Sequence, residues 1–197
     1  MKKAVYGDKK IVIDILTKSF DTNQSVNFII KQDQNRIHRI RALMDYSFDM
    51  CFSFGEVFLS DDKNACALIL FPDKKRTTIK SIIWDIKLIW NSVGVANIGK
   101  ALKRESEIKK LHPDELMYYL WFIGVNPDSQ HKGIGTRLLN DISEGSTLTN
   151  RSIFLETSTV RNLPWYKKNG FKIYHELELG YKLHFLKTDK LPQRLTL

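Results

Sequence analysis

A continuous apolar run, YYLWFIGV over residues 118–125, constrains the fold of this chain more than any other feature. Asn126 and Pro127 end the run as turn residues do, and the run predicts a strand that is buried on both faces. A glycine-rich loop, DSQHKGIGTRLL over residues 128–139, follows at once and opens into a predicted helix. A buried strand that leads through a tight loop into a helix is typical of an α/β domain.

The segments around that strand predict further helices and strands in mixed order, from helical apolar spacing or from short apolar runs bounded by turn residues. The predicted elements are a short strand over residues 4–6, helices over 9–20 and 35–54, strands over 56–60 and 65–71, a helix from 136 that ends near Gly145, a strand over 152–158, a short helix over 162–171 and a strand pair over 172–180 and 181–188. We expect a single α/β domain over residues 1–197, with a mixed central sheet of about six to seven strands and flanking helices.

Residues 77–111 predict a helical insertion before the fourth strand. The first part of the insertion places apolar residues on one helical face; they are Ile79, Ile82, Ile83, Ile86, Ile89, Trp90 and Val93. Such a face predicts a helix pair packed on the sheet or a cover over a pocket, and the two are compatible.

Composition limits the partners of the chain without naming one. The formal net charge is +9, which favours anionic ligands in general. The short basic run over residues 74–76 lacks the interleaved aromatic residues of a strand-binding platform, so we expect no nucleic-acid partner. The apolar stretch over residues 82–99 contains Asp85 and Lys87, which argues against a membrane span, and we expect no membrane partner.

Cysteine and histidine usage predicts no metal site. Cys51 and Cys66 lie in apolar surroundings and match no metal-ligand spacing, so reduced, buried thiols in a cytoplasmic protein are the expected state. The five histidines are scattered without a ligand pattern. The N-terminal stretch MKKAVYGDKK breaks into charge after a few residues and does not resemble a signal peptide.

The loop over residues 128–139 offers an anion site at the start of a helix. Backbone N–H groups from Gln130 to Thr136 can converge there on a diphosphate, and the helix dipole favours its charge. Gly133 and Gly135 keep side chains out of the way. The spacing matches neither a P-loop nor a dinucleotide fingerprint. From the residues alone, a structural turn and a binding loop remain equally open.

Two linked motifs resemble the GNAT superfamily of N-acetyltransferases. Gln130, Gly133 and Gly135 match its Gln/Arg-x-x-Gly-x-Gly/Ala signature, and FLETSTVRNLPWYKKNGF over residues 154–171 is similar to its fifth strand and following helix. The second motif resembles more narrowly the puromycin N-acetyltransferase branch. The resemblance is close over residues 118–171 and looser over 4–72. It implies a GNAT-like fold, and transfer of an acetyl group from acetyl-CoA to an amine or another small nucleophile by direct attack in a ternary complex.

The resemblance implies a cofactor site on the fourth strand and the loop, with no metal. The residues implied to contact coenzyme A are Ile123, Gly124, Val125, Gln130, His131, Lys132, Gly133, Ile134, Gly135, Thr136 and Asn162. A glycine at position 124 permits a bulge or a close approach that helps to part the fourth and fifth strands. Many members carry an asparagine seven residues before the tyrosine of the second motif. This chain has Thr159 there, so Asn162 is a weaker expectation than the loop.

Two side chains are candidates for the chemistry. Glu156, on the predicted fifth strand, can take the proton that an amine must lose before it attacks a thioester. A structural glutamate, paired with a lysine or bonded to backbone, is the equal alternative. The resemblance places Tyr166 beside the departing thiolate as a proton donor, and the alternative is a core aromatic residue. A backbone N–H near Val125 can stabilise the oxyanion.

The acceptor is expected to be a small molecule, an amine first of all, bound by residues 19–30 and by the insertion over 77–111. Phe20, Phe28, Trp84 and Trp90 would form an aromatic wall for it, or belong to the core. The protein is expected to act as a monomer or a homodimer. The competing possibility is a catalytically inactive module that only senses acyl-CoA.

Overall fold

The structure is a computed structural model that describes residues 1–188, in which seven helices surround a seven-stranded sheet. The strands are β1 Lys2–Lys3, β2 Gly55–Leu59, β3 Ala65–Leu70, β4 Met117–Val125, β5 Ser152–Thr157, β6 Phe171–Glu178 and β7 Lys182–Thr188. The helices are α1 Lys9–Ser19, α2 Gln24–Ile29, α3 Arg36–Phe54, α4 Ile79–Leu88, α5 Ile98–Leu111, α6 Ile134–Leu148 and α7 Leu163–Lys168. The predicted α/β class with a mixed sheet and flanking helices is confirmed.

The sheet has the strand order β1-β2-β3-β4-β5-β7-β6. Strands β4 and β5 are parallel, and every other neighbouring pair is antiparallel. The parallel pair lies between two antiparallel blocks and is connected through α6, as parallel strands require a crossover. The fold therefore joins its two halves at the β4–β5 boundary.

The hydrophobic core lies on both faces of the sheet. One face packs against α1 and α3 through residues such as Leu16, Met44 and Phe154, and the other packs against α6 through Leu139, Ile142 and Leu155. All six residues of β3 are buried, as a central strand covered on both faces should be. These two layers hold β4 and β5 rigidly at the centre of the molecule.

Several element boundaries differ from the sequence prediction. Residues 4–6 do not form a strand; the short first strand is Lys2–Lys3, which pairs with the end of β2. Helix α6 begins at Ile134, with Gly133 at its N-cap in the left-handed conformation, φ +74°. It continues past Gly145, where a Cβ atom would meet the Tyr118 hydroxyl at 3.0 Å. That glycine makes room for a tyrosine and does not end the helix.

The insertion is helical as predicted, but its apolar face does not pack on the sheet. The exposed fractions of Ile79, Ile83 and Ile86 are 80%, 45% and 50%. The opposite face of α4 turns inward, where Ser81 is buried and Asp85 accepts a hydrogen bond from the Tyr46 hydroxyl at 2.9 Å. Packing on the sheet is therefore wrong for this face, although α4 and α5 do cover a cavity.

Within residues 1–188, no helix is long and apolar enough to cross a membrane.

We predict that Gly55→Ala lowers the free energy of unfolding by about 1–3 kcal/mol, as overpacking does. Gly55 follows α3 directly, and a Cβ atom there would lie 2.0 Å from the Ile69 carbonyl oxygen, which belongs to the paired backbone of β3. Chemical denaturation measures the effect. Gly99→Ala is the control, because no atom lies within 4 Å of its Cβ position in α5 and alanine favours a helix. Equal stability of the two variants would contradict the prediction.

Candidate active site

The sheet has a gap between β4 and β5, where the two strands separate. The two strands pair only at Met117 with Ser152, Tyr118 with Ile153 and Tyr119 with Phe154. Strand β4 then continues beside β3 as far as Val125, while β5 turns to pair with β7. The second half of β4 therefore has one edge without a strand partner.

A bulge in β4 marks the place where the gap opens. Leu68 pairs with Phe122 and Ile69 pairs with Leu120, so Trp121 is an extra residue on β4. Bulges bend a strand and end regular pairing, and this one lies two residues after the last β4–β5 pair. Gly124 permits a close approach of α1, since a Cβ atom there would meet Leu16 Cδ2 at 2.9 Å and Ser19 Oγ at 3.0 Å. Its expected help in parting β4 and β5 stays a prediction.

The free edge of β4 presents backbone groups of two predicted cofactor residues. Asn126 donates its N–H to Asn64 on the β3 side. Because backbone direction alternates along a strand, Gly124 faces β3 and the N–H groups of Ile123 and Val125 face the gap. The Val125 carbonyl accepts from Ser19 Oγ at 2.9 Å and from Gln130 Nε2 at 3.3 Å. Its N–H remains available to a ligand in the gap.

The loop after β4 presents a row of unpaired N–H groups to solvent. Among residues 1–188, the backbone N–H groups of His131, Lys132, Gly133, Ile134, Gly135 and Thr136 have no hydrogen-bond acceptor. The first three of these residues are exposed, and the last three form the first turn of α6. Positive φ values at His131 (63°) and Gly133 (74°) curve the chain so that this row forms a concave nest. Exposed N–H groups at the start of a helix are suited to an anion, and the anion site itself stays a prediction.

The side chains of the loop fasten it to the molecule. Lys132 Nζ donates to the Asp128 carbonyl at 3.1 Å, and the Gln130 amide reaches the end of β4. Thr136 Oγ1 accepts a hydrogen bond from Trp165 Nε1 at 3.0 Å. At Gly135 a Cβ atom would be in ordinary contact with Val125 and Trp165, at 3.4 and 3.7 Å. A side chain at position 135 would therefore fit the fold.

Glu156 lies on β5 at the edge of the gap, with both carboxylate oxygens engaged. Oε1 is 2.7 Å from His112 Nε2, and Oε2 accepts a hydrogen bond from the Tyr119 hydroxyl. The side chain is 8% exposed. Burial, and then the nearby Glu156 carboxylate, raise the pKa of Tyr119 well above its usual value, so Tyr119 stays a hydrogen-bond donor. The structural alternative from the sequence, a lysine or backbone partner, is not what Glu156 has.

Tyr166 lies on α7 on the other side of the sheet, packed against Trp165 and Phe171. Its side chain is 5% exposed, and burial raises the pKa of its phenol. Within the described residues its hydroxyl has no hydrogen-bond partner. Tyr166 is thus a core aromatic residue that also keeps a protonated hydroxyl at a cavity wall.

Asn162 lies at the N-cap of α7, but its side chain makes no capping hydrogen bond. Like Tyr166, it lines the cavity that lies between β4 and β5. Its backbone N–H donates to the Thr159 carbonyl at 2.9 Å. Thr159 Oγ1, at the position where many superfamily members have asparagine, accepts from Asn23 of the opposite wall at 3.3 Å. Both residues line the cavity.

A cavity of about 500 Å³ connects these parts. Glu156 belongs to the sheet face that packs on α1 and α3, and Tyr166 to the face that packs on α6, yet both line this cavity. They can do so because β4 and β5 have separated. Ile123 of the free strand edge, Glu156 and Tyr166 therefore line one cavity, whereas the loop over residues 128–136 does not line it.

The walls of the cavity differ in part from the predicted aromatic wall. Of the four predicted aromatics only Phe20 lines this cavity. Phe28 and Trp90 line a separate shallow pocket, where Lys100 Nζ lies 3.7 Å from the centre of the Phe28 ring. The aromatic residues that do line the cavity are Phe20, Tyr46, Tyr119, Trp121, Phe122 and Tyr166.

The cavity also collects acidic side chains in a chain of net charge +9. Asp85, Glu105 and Glu156 line it, together with Lys75 and Arg104. The Arg104 guanidinium is held by Ser25 Oγ and by the Tyr181 hydroxyl.

Tyr46 donates a hydrogen bond to Asp85, and burial, followed by the Asp85 charge, raises the pKa of Tyr46. Tyr46, His112 and Tyr119 were not predicted from the sequence, because no spacing links them to Glu156 or Asp85 along the chain.

Comparison with known proteins agrees with this site. A family model described as an acetyltransferase (GNAT) domain matches residues 91–173, which contain the loop, Glu156 and Tyr166. A crystal structure of histone acetyltransferase HPA2 and related acetyltransferase from Corynebacterium glutamicum superposes with a TM-score of 0.71 at 17% identity, over 98% of this chain and 97% of that one.

Two other structures share the fold. An N-acetyltransferase from Staphylococcus aureus has a TM-score of 0.55 at 16% identity, over 95% of this chain and 98% of its own. A mosquito arylalkylamine N-acetyltransferase like 5b has a TM-score of 0.55 at 13% identity, over 95% and 97%. The narrower likeness to the puromycin branch stays a prediction. Residues 91–173 thus match a GNAT acetyltransferase domain, and the chain as a whole shares its fold with these acetyltransferase structures.

Proposed function

We propose that the protein transfers an acetyl group from acetyl-CoA to a small-molecule amine, with both substrates bound at once. The observation that carries the proposal is the single cavity that passes between β4 and β5. It connects a carboxylate on the acceptor side, Glu156, with a tyrosine hydroxyl on the cofactor side, Tyr166. A ternary complex needs such a passage, because the amine and the thioester approach from opposite faces of the sheet.

The residues present fit coenzyme A. Its diphosphate suits the six unpaired N–H groups from His131 to Thr136, and its amide-containing arm suits the unpaired edge of β4 at Ile123 and Val125. When bound, acetyl-CoA supplies the activated acetyl thioester.

The acceptor side favours an amine. Asp85, Glu105 and Glu156 give the cavity three carboxylates, and cations concentrate where carboxylates do. The aromatic side chains between them suit an apolar or aromatic body on the same molecule. A related fold occurs in the mosquito arylalkylamine N-acetyltransferase like 5b, and this likeness supports an arylalkylamine as the first acceptor to test.

The residues of this chain divide the chemistry. Glu156 takes the proton of the amine, directly or through a water molecule, and Tyr119 and His112 fix its orientation. The Val125 N–H, which faces the gap, would donate a hydrogen bond to the acetyl oxygen as negative charge develops on it. Tyr166, whose raised pKa keeps it protonated, donates its proton or a hydrogen bond to the departing thiolate.

The thiols of this chain fit a reducing, cytoplasmic setting. Cys51 and Cys66 are both free and buried, and burial raises the pKa of each. Neither takes part in the proposed chemistry.

We predict that Gly135→Asp abolishes coenzyme A binding in calorimetric titration and leaves the protein folded. The new carboxylate would stand in the nest among the unpaired N–H groups and repel a diphosphate. An acidic residue is favourable in a first helical turn, so the fold should persist. Gly135→Asn is the control of equal size without the charge, and it should retain more affinity. Unchanged affinity of the aspartate variant would mean that the loop is only a structural turn.

Tyr166→Phe should lower turnover by about 100-fold, at the low end for loss of an acid, because a thiolate is a fairly good leaving group. Thiol release from acetyl-CoA with a panel of arylalkylamines gives the rate, and calorimetry should show little change in cofactor affinity. Tyr174→Phe, which removes a half-buried hydroxyl outside the cavity, is the matched control. A fall within a factor of about two, below the range expected for acid catalysis, would leave Tyr166 as a core aromatic only.

Glu156→Gln should lower kcat/KM by about 100-fold or more while acetyl-CoA binds as before. The deficit should narrow as the pH rises, because an amine that is already neutral in solution needs no base. Glu105→Gln is the control, a carboxylate on the wall of the same cavity but on α5. Equal deficits in both variants, or a deficit that does not change with pH, would contradict the role of Glu156. Binding of acetyl-CoA with no turnover in the parent would instead indicate an acyl-CoA sensor.

A further inference from the structure

The apolar stripe on α4 lies on the outside of the molecule. Ile79, Ile82, Ile83, Ile86 and Trp90 follow one another at helical spacing, and their exposed fractions are 80%, 46%, 45%, 50% and 69%. Isolated exposed apolar residues are ordinary, but a stripe of four residues on α4, which Trp90 continues just beyond the end of the helix, marks a contact surface.

The inner face of the same helix is occupied by the molecule itself. Ser81 is buried and completes a capping box with Thr78, and Asp85 is held by Tyr46. Leu88 and Ile89 line the cavity. Helix α4 cannot turn its stripe inward without exposing these partners, so the stripe stays on the outer surface of the described chain.

Cations surround the stripe. Within residues 1–188, Arg76, Lys80 and Lys87 have no ion-pair partner. Asp85 is the one acidic residue between positions 74 and 90, and it is hydrogen-bonded to Tyr46 on the inner side. The outer surface of this segment is therefore apolar along its ridge and positively charged beside it.

Charge decides between the possible occupants. A second copy that placed its own stripe on this one would bring the same unpaired cations face to face, at a cost in repulsion. A bilayer surface that contains anionic phospholipid offers apolar depth for the stripe and negative charge for its border. Interfacial helices combine these two properties.

We propose that α4 binds the protein to the surface of membranes that contain anionic phospholipid, with the isoleucine stripe inserted at the headgroup boundary and Lys80 and Lys87 at the phosphates. This proposal departs from the sequence expectation of no membrane partner. It does not depend on acetyl transfer, because binding to vesicles is measured without acetyl-CoA or an amine.

The test is flotation of the full chain with vesicles of phosphatidylcholine alone, or of phosphatidylcholine with phosphatidylglycerol. The parent should float with the mixed vesicles and not with the neutral ones. The triple variant Ile79→Ser, Ile83→Ser and Ile86→Ser should bind at least about tenfold more weakly, because it removes the inserted apolar area. Lys80→Gln with Lys87→Gln should weaken binding by about fivefold for each charge.

Matched variants elsewhere separate this surface from the general charge of the protein. Leu148→Ser removes an apolar side chain that is 88% exposed at the end of α6, and Lys167→Gln with Lys168→Gln removes two exposed charges on α7. Both should float like the parent. The proposal is overturned if the triple isoleucine variant floats like the parent, if the parent binds neither kind of vesicle, or if sedimentation shows a dimer that the isoleucine variant disperses.

Discussion

Strands β4 and β5 are joined by three residue pairs. The rest of the active site depends on this short pairing, because it leaves a gap between the two strands. A longer parallel ladder would use the N–H groups of Ile123 and Val125 and close the passage between Glu156 and Tyr166. The bulge at Trp121 ends the pairing on one side of β4, while β3 holds the other side as far as Val125. Strand β4 is thus held by β3 along one edge, while its other edge is free. A free strand edge in the middle of a domain can bind a ligand only if the strand is held in place in this way.

Side-chain contacts fix the groups around that gap in relation to one another. Trp165 donates to Thr136, so α7, which carries Tyr166, is tied to the first turn of α6, which carries the anion nest. Ser19 holds the end of β4 through the Val125 carbonyl. Glu156 is clamped at both oxygens. Reacting groups that are held in place in this way save the entropy of bringing them together, which a loop site without such contacts would have to supply on binding.

The sequence predicts the parts of this site that depend on local pattern. The buried strand at 118–125, the loop glycines and the short helix before Gly170 each carry their own signal, and all three are confirmed as elements of the fold. The clamp on Glu156 could not be predicted, because His112 and Tyr119 are 44 and 37 residues away in sequence. Gly124 shows a different limit: a glycine signals a close approach, but the sequence does not say whether a helix or a ligand approaches.

Helix α4 shows why periodicity alone predicts a contact without its direction. An isoleucine stripe requires an apolar neighbour, and the sheet is the nearest one that a sequence offers. The polar face decides otherwise, because Ser81 has its capping partner and Asp85 its tyrosine on the inner side. The cavity needs a polar wall there, and a helix has only two faces. Because the other face lines the cavity, the isoleucine stripe lies on the outer surface. There it stands beside unpaired lysines, and a partner for this surface must offer both apolar contact and negative charge.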